Sequence, residues 1–427
     1  MRFSIKAGRK VMEITEVLNK EIEELKEDMV QLCAELVKIP SETPPSDTKR
    51  MAEFLKEYIA QKITDADITF HMKEEPVQSM VVRINSGKPG KRLVFNGHLD
   101  TYPAGDHSLW TESPWSGSVR DGYIWGRGSS DMKGGIACFI TAVRILAKHK
   151  DLWNGEIVLT MAGDEEAMSD RGTQYLLDTV EEASGDAMIC ADVGAPDSLR
   201  FGQKGLLWIR LDALGKSAHG AHLHKGISAI NRLIEAIRRI NTEIPELPVH
   251  MPENVRDAIL KSAEISERGA GPGETEILQK ITVNFGTIQG GISPNLVPAS
   301  ASAEADIRIP AGATTTEILQ KIEEILADIE GVTCMVTRSY EANWSDPEDI
   351  LFRIVREKSE KVLNKEVVVT FRVGASDARL YRLSKGIPTI NCGLTPYGLG
   401  GPDEHVSIEE MVKIAQIHAL SALEFLS

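Results

Sequence analysis

Apolar and charged positions alternate at helical spacing from residue 13 to residue 38, and the pattern stops at Ile39-Pro40, where proline ends a helix. Residues 47–61 repeat it and predict a second amphipathic helix. The period then changes. Met80-Val81-Val82-Arg83-Ile84 and Arg92-Leu93-Val94-Phe95-Asn96 predict strands, with Gly87-Lys88-Pro89-Gly90 as the turn between them. Residues 155–161 and 187–191 are short apolar runs of the kind buried inside a sheet, and residues 134–148 predict a helix. Strands alternating with helices predict an α/β fold.

After about Lys204 the texture differs. Residues 206–214 predict a strand, 227–240 a helix, 281–288 and 301–309 two strands, 315–329 a helix and 333–339 a last strand. That β-α-β-β-α-β order predicts a small ferredoxin-like unit inserted into the larger domain. Within it, residues 245–276 are polar and weakly patterned, and read as a variable excursion. From about Glu341 the α/β texture returns. The expected division is a catalytic domain over 1–204 and 341–427, interrupted by a smaller domain over 205–340.

A chain of 427 residues exceeds the size at which one hydrophobic core keeps growing, which agrees with two domains. Lys and Arg number 48 against 63 Asp and Glu, a formal charge of −15 that argues against nucleic acid or an anionic membrane as partner. Cys33, Cys138, Cys190, Cys334 and Cys392 are odd in number, far apart and form no C-x-x-C pair. They predict neither a disulfide framework nor a thiolate zinc site, and they fit a reducing cytoplasm. The basic start Met1-Arg2-Phe3-Ser4-Ile5-Lys6 has no apolar h-region after it, and no apolar stretch is long enough to span a bilayer.

Five short stretches offer metal ligands: Gly97-His98-Leu99-Asp100, Ser130-Asp131-Met132-Lys133-Gly134-Gly135, Gly163-Asp164-Glu165-Glu166, Ala191-Asp192 and Asp403-Glu404-His405. Each alone is weak, since H-x-D and adjacent glutamates are common on solvated turns. Together, and in order behind predicted strands or glycine turns, they predict one site. Histidine and carboxylate bind Zn²⁺ well, and Asp131 is placed to bridge two ions roughly 3.5–4 Å apart. His98 and Asp192 would complete one ion's protein ligands, and Glu166 and His405 the other's. Asp100, two residues beyond His98, is read as the carboxylate that orients its imidazole. Glu165 is left as the general base that takes a water's proton and passes it to the leaving amine. The cofactor expectation is two divalent ions, zinc foremost, with cobalt or manganese as alternatives.

The motifs His98-Leu99-Asp100, Gly126-Arg127-Gly128 through Gly135, Asp164-Glu165-Glu166 and Gly401-Pro402-Asp403-Glu404-His405 together resemble a known family. It is the co-catalytic zinc metallopeptidase family of acetylornithine deacetylase, succinyl-diaminopimelate desuccinylase, aminoacylase and bacterial glutamate carboxypeptidase. The resemblance runs through nearly the whole chain. It implies a zinc-bearing mixed-sheet α/β catalytic domain interrupted by a ferredoxin-like lid that dimerises. It also implies roles for residues outside the motifs above. His219 is similar to the lid histidine that reaches the partner subunit's site and steadies the tetrahedral oxyanion. Asn284 resembles the lid asparagine that contacts substrate. Arg308 and Arg338 resemble lid arginines that grip a substrate carboxylate, with structural ion pairs as the other reading. Gly374, in Gly374-Ala375-Ser376-Asp377, is similar to the glycine of a substrate loop. Relatives often have a proline directly after the acid at position 192; here the proline is Pro196, so Asp197 stays open as the ligand instead. His222 and His224 read as a solvated loop.

Other chemistries fail on single residues. Gly126-Arg127-Gly128-Ser129-Ser130-Asp131 begins like a dinucleotide fingerprint, but its closing aspartate would repel a pyrophosphate. No G-x-S-x-G elbow is present. Two functional readings remain. One is a dinuclear-metal hydrolase cleaving the amide bond of a small N-acyl amino acid or short peptide as a homodimer. The other is a catalytically silent, metal-binding relative acting as a binding or assembly protein. The completeness of the ligand set, with Glu165 beside it, favours the enzyme.

Overall fold

Every residue of the strand Glu156–Ala162 is buried, because that strand lies in the middle of a sheet and both its faces are covered. The computed structural model describes residues 14–427 and divides into two compact units. The expected helix start at residue 13 and the basic stretch Met1 to Lys6 lie outside the described residues. The first unit comprises Met1–Phe201, Ser345–Val369 and Ser376–Ser427; the second comprises Gly202–Trp344 and Thr370–Ala375. The short segment Thr370–Ala375, which carries Gly374, therefore belongs to the second unit rather than to the 341–427 stretch as expected.

In the first unit the sheet order is Asp67–His71, Ser79–Asn85, Glu156–Ala162, Arg92–His98, Ala187–Cys190, Thr389–Asn391 and Ser198–Gln203. The run from Glu156–Ala162 to Thr389–Asn391 is parallel, and the outer pairs are antiparallel. The sheet is mixed. Ser79–Asn85 and Arg92–His98 are both strands as expected, yet they are not neighbours. Glu156–Ala162 inserts between them, antiparallel to the first and parallel to the second.

Side chains alternate across the sheet and recruit helices to both faces. Phe95 packs on Phe139 of the helix Gly134–Lys148, ring centroids 6.0 Å apart. Val94, next along the strand, joins Val158, Met188, Leu176, Leu177 and Tyr381 on the opposite face. The helix Gly134–Lys148 is apolar nearly all round and buried, and packs against Ile408–Phe425, the C-terminal helix. Gly135 lets the start of the helix lie close on the end of strand Ala187–Cys190, since a Cβ there would stand 2.2 Å from the carbonyl oxygen of Ala191.

The second unit has a four-stranded antiparallel sheet in the order Thr282–Gly290, Ser300–Ile309, Gly205–Leu214 and Val332–Tyr340. With helices Ala229–Glu243 and Thr315–Ala327 it forms the expected β-α-β-β-α-β unit. Leu207, Ile209 and Leu211 meet Ile307, Leu233 and Ile322 in a core on one face of the sheet. Residues 245–276 differ from the expected irregular excursion. They contain helices Glu253–Lys261, Ala263–Ala270 and Glu274–Ile277, the first anchored by buried Val255, Ala258 and Ile259. That i, i+3, i+4 apolar triplet is too short to stand out in a polar stretch.

Replacing Gly135 by alanine forces a methyl group against the Ala191 backbone. We expect Gly135→Ala to lower stability by about 1–3 kcal/mol, read as a lower urea midpoint at unchanged m-value. An unchanged midpoint contradicts the packing described.

Candidate metal centre and active site

Three parallel strands end at the same edge of the sheet, and each is followed by an acid or histidine. His98 closes Arg92–His98, Glu165 and Glu166 follow Glu156–Ala162, and Asp192 follows Ala187–Cys190. The carboxyl edge of a parallel sheet is where α/β enzymes carry their chemistry. Asp131 reaches the same place on the loop ahead of Gly134–Lys148. His98 Nε2 lies 2.9 Å from Asp131 Oδ1, and the candidate ligand atoms of His98, Asp131 and Glu166 all fall within 4.8 Å of one another.

The Asp131 loop is held by a residue whose role the sequence did not suggest. Glu404 is buried, pairs with Arg127 Nη1 at 2.6 Å, and accepts from the backbone N–H of Gly128, Ser130 and Asp131 and from the Ser130 hydroxyl. The glycine at 128 has φ +79°, and a Cβ there would stand 2.4 Å from Thr101 Cγ2. Glu404 was visible only as the middle residue of Asp403-Glu404-His405. Its partner donors come from more than 270 residues earlier, so no local pattern connects them.

Asp100 does more than was expected of it. His98 Nδ1 meets the Asp100 backbone carbonyl at 2.9 Å, while the Asp100 carboxylate is 3.5 Å away. That carboxylate accepts the Glu165 and Glu166 N–H groups at 3.0 and 3.1 Å and the Thr43 hydroxyl at 2.7 Å. One aspartate thus sets the imidazole and the two-glutamate turn together.

Asp192 is buried, and its charge helps push the Glu165 pKa upward. Asp197, the alternative, is ion-paired to Lys365 Nζ at 2.8 Å. His405 begins the strand His405–Ser407, with its ring stacked between Trp125 and Tyr397 at centroid distances of 4.0 and 5.0 Å. Its Nδ1 meets the Asp403 carbonyl at 2.8 Å, leaving Nε2 as the ring's other donor atom. Neither Asp192 nor His405 belongs to the three-residue group mutually within 4.8 Å.

Burial and crowded charge shape the titration of the site. Burial, followed by Asp192 and Asp377, raises the pKa of Glu165 well above the ordinary range, against the pull of His98 and Arg379. Burial and then Asp131 and Glu165 do the same to Glu166. Burial disfavours the charged form of His98, but Asp100 and Asp131 outweigh it and raise its pKa well above normal. Among the described residues Glu166 Oε1 is buried without a hydrogen-bond partner. Uncompensated buried carboxylates are costly, and a nitrogen–oxygen donor set with an unpartnered carboxylate oxygen fits a divalent cation.

The second unit holds the remaining predicted residues. His219 is exposed, and its Nδ1 accepts the Ala221 N–H at 3.1 Å, which puts the proton of the neutral ring on Nε2. Asn284, Asp306, Trp208 and Arg338 form a register row across the four strands, on the face opposite the helices. Arg338 lies over the Trp208 ring at 5.9 Å. Arg308 binds Asp306 through Nε and Nη2 at 2.9 to 3.1 Å and donates to the Val373 carbonyl at 3.3 Å. Gly374 has only the Arg372 side chain near its would-be Cβ, at 3.4 Å.

The sequence model of peptidase family M20/M25/M40 matches residues 94–424. Among curated proteins, succinyl-diaminopimelate desuccinylase of Rhodospirillum centenum is 27% identical over 400 residues, covering 92% of this chain and 95% of that one. Among solved structures, an M20 family metallo-carboxypeptidase from Sulfolobus solfataricus superposes with a TM-score of 0.76 at 20% identity, over 93% of this chain and 99% of that one. Human carnosine dipeptidase 1 gives 0.74 at 16% identity, over 97% and 99%. The two structures establish the fold, and the family match spans the strands, the Asp131 loop and the His405 segment that build the site. The chain belongs to peptidase family M20/M25/M40 and is a hydrolase.

Proposed function

We propose that this hydrolase cleaves the amide bond of a small N-acyl amino acid or short peptide, using water and two divalent ions, most simply zinc. The observation that carries the reading is the meeting of His98, Asp131 and Glu166 within 4.8 Å, with partly buried Glu165 next in the chain. His98, Asp131, Glu166, Asp192 and His405 would hold the ions. Ions held there supply Lewis acidity, which eases deprotonation of water and polarises a carbonyl. Names carried by relatives, a desuccinylase, a carboxypeptidase and a dipeptidase, agree with such a substrate class.

The chain's own groups supply proton transfer and positioning. Glu165 takes a proton from the attacking water and delivers it to the leaving nitrogen, so its carboxylate must both accept and release within one turnover. Asp100 keeps Glu165 and Glu166 in a fixed relation by holding both N–H groups. The Nε2–H of His219 is a donor suited to a developing oxyanion. It would serve the site of a second copy in a homodimer formed through the second unit, which acts as a lid. Asn284 and Arg338 present polar groups on the uncovered sheet face, suited to a substrate carboxylate. Arg308, held by Asp306, is the weaker candidate, and Gly374 supplies backbone for close approach. Five unpaired cysteines fit a reducing, cytoplasmic setting. Among the described residues no helix is long and apolar enough to cross a membrane.

Glu165→Gln should leave metal content intact and lower kcat by at least about 10²-fold, because the ligands remain while the proton carrier is lost. Near-normal turnover in that variant removes Glu165 from the mechanism. Mixing inactive His219→Ala with inactive Glu165→Gln under subunit exchange should regain activity, since one mixed site then has both groups intact. No recovery with exchange demonstrated contradicts a role for His219 across the interface.

A further inference from the structure

The turn that carries Glu165 is bent in a way its residues do not favour. Asp164, Met168 and Ser169 have φ of 68°, 78° and 72°, left-handed values that non-glycine residues adopt only where surroundings enforce them. Three side chains from distant segments do so. Asp100 takes the Glu165 and Glu166 N–H groups. Asp377 is buried and accepts from the hydroxyls of Ser169 and Thr173, the latter at 2.6 Å. Arg379 donates through Nη2 to the Met168 carbonyl at 2.6 Å and, more distantly, to Ser169 Oγ at 3.4 Å.

Arg379 differs from the other two because it also faces the Glu165 side chain. Its Nη1 lies 4.0 Å from Glu165 Oε1 and donates to the Ser376 carbonyl at 3.0 Å. The residue is only 3% exposed. A planar guanidinium whose two arms are tied to backbone carbonyls cannot turn to follow a moving carboxylate. The carboxylate must instead settle against it. At 4.0 Å the contact is an ion pair without a tight hydrogen bond, which sets the direction of the carboxylate without gripping it.

We propose that Arg379 is the positioning residue for Glu165: a buried guanidinium, locked by the Met168 and Ser376 carbonyls, fixes both the turn and the direction of the carboxylate it carries. The inference rests on the reading of Glu165 as proton carrier. It makes Arg379 a determinant of rate above all, because the Glu165 carboxylate faces it directly, while Glu166 on the same turn is also held through its N–H by Asp100.

The test is steady-state kinetics and metal analysis of the metal-loaded enzyme carrying Arg379→Gln or Arg379→Lys, each alone and combined with Glu165→Asp. A carboxylate misplaced by about 1 Å loses rate on the order of 10²-fold. Arg379→Gln should therefore lower kcat by about 10²-fold with KM within about threefold and metal content unchanged. Arg379→Lys keeps the charge but not the fork, and should fall between the two. In the Glu165→Asp background, where the carboxylate is already withdrawn, Arg379→Gln should cost far less than alone. If Arg379→Gln does not fold, Arg379→Lys and its combination with Glu165→Asp carry the test. Wild-type kcat in Arg379→Gln, strictly additive losses, or loss of metal in step with activity overturns the inference. Full activity of Glu165→Gln overturns the underlying reading instead, whereas an inactive Glu165→Gln beside an active Arg379→Gln overturns only the role of Arg379.

Discussion

Like charges repel most strongly where water is excluded, and this chain gathers Asp100, Asp131, Glu165, Glu166 and Asp192 at the carboxyl edge of one sheet. The local structure around that edge is organised to make the crowding tolerable. Asp100 is satisfied by two backbone N–H groups and a hydroxyl. Glu404, one shell out, is satisfied by Arg127 and three backbone N–H groups. Glu166 Oε1, by contrast, is buried with no hydrogen-bond partner among the described residues. Protein groups thus satisfy Asp100 and Glu404, whereas Glu166 keeps an unpartnered oxygen of the kind a divalent cation binds.

That asymmetry follows from how the fold is built. Parallel strands deliver residues to one edge without needing contacts between them, and close helix packing through Gly135 brings the Asp131 loop alongside. Strained backbone at Asp164, Met168 and Ser169 then turns Glu165 and Glu166 inward. Each side chain's placement is paid for elsewhere, in the bonds made by Asp100, Asp377 and Arg379.

Much of this was legible from the amino-acid sequence, because the features involved are local. Apolar runs ending in an acid or histidine marked the strands and the candidate ligands together. The helix over residues 134–148 and the β-α-β-β-α-β order were readable from periodicity alone. What escaped was long-range. No pattern links Glu404 to the N–H groups of the Asp131 loop, or Arg379 to Met168, since each contact joins segments hundreds of residues apart. The neighbour order of strands was also hidden, because Glu156–Ala162 enters between two strands that precede it in the chain. The short helices within 245–276 were masked by their polar surroundings.

The account depends on cations occupying the space between His98, Asp131 and Glu166, and anomalous X-ray diffraction from zinc-loaded crystals tests that most directly. Two anomalous peaks roughly 3.5–4 Å apart, with Asp131 between them and His98, Glu166, Asp192 and His405 around them, are the predicted result. Peaks elsewhere on the molecule, with none between His98 and Asp131, would contradict it.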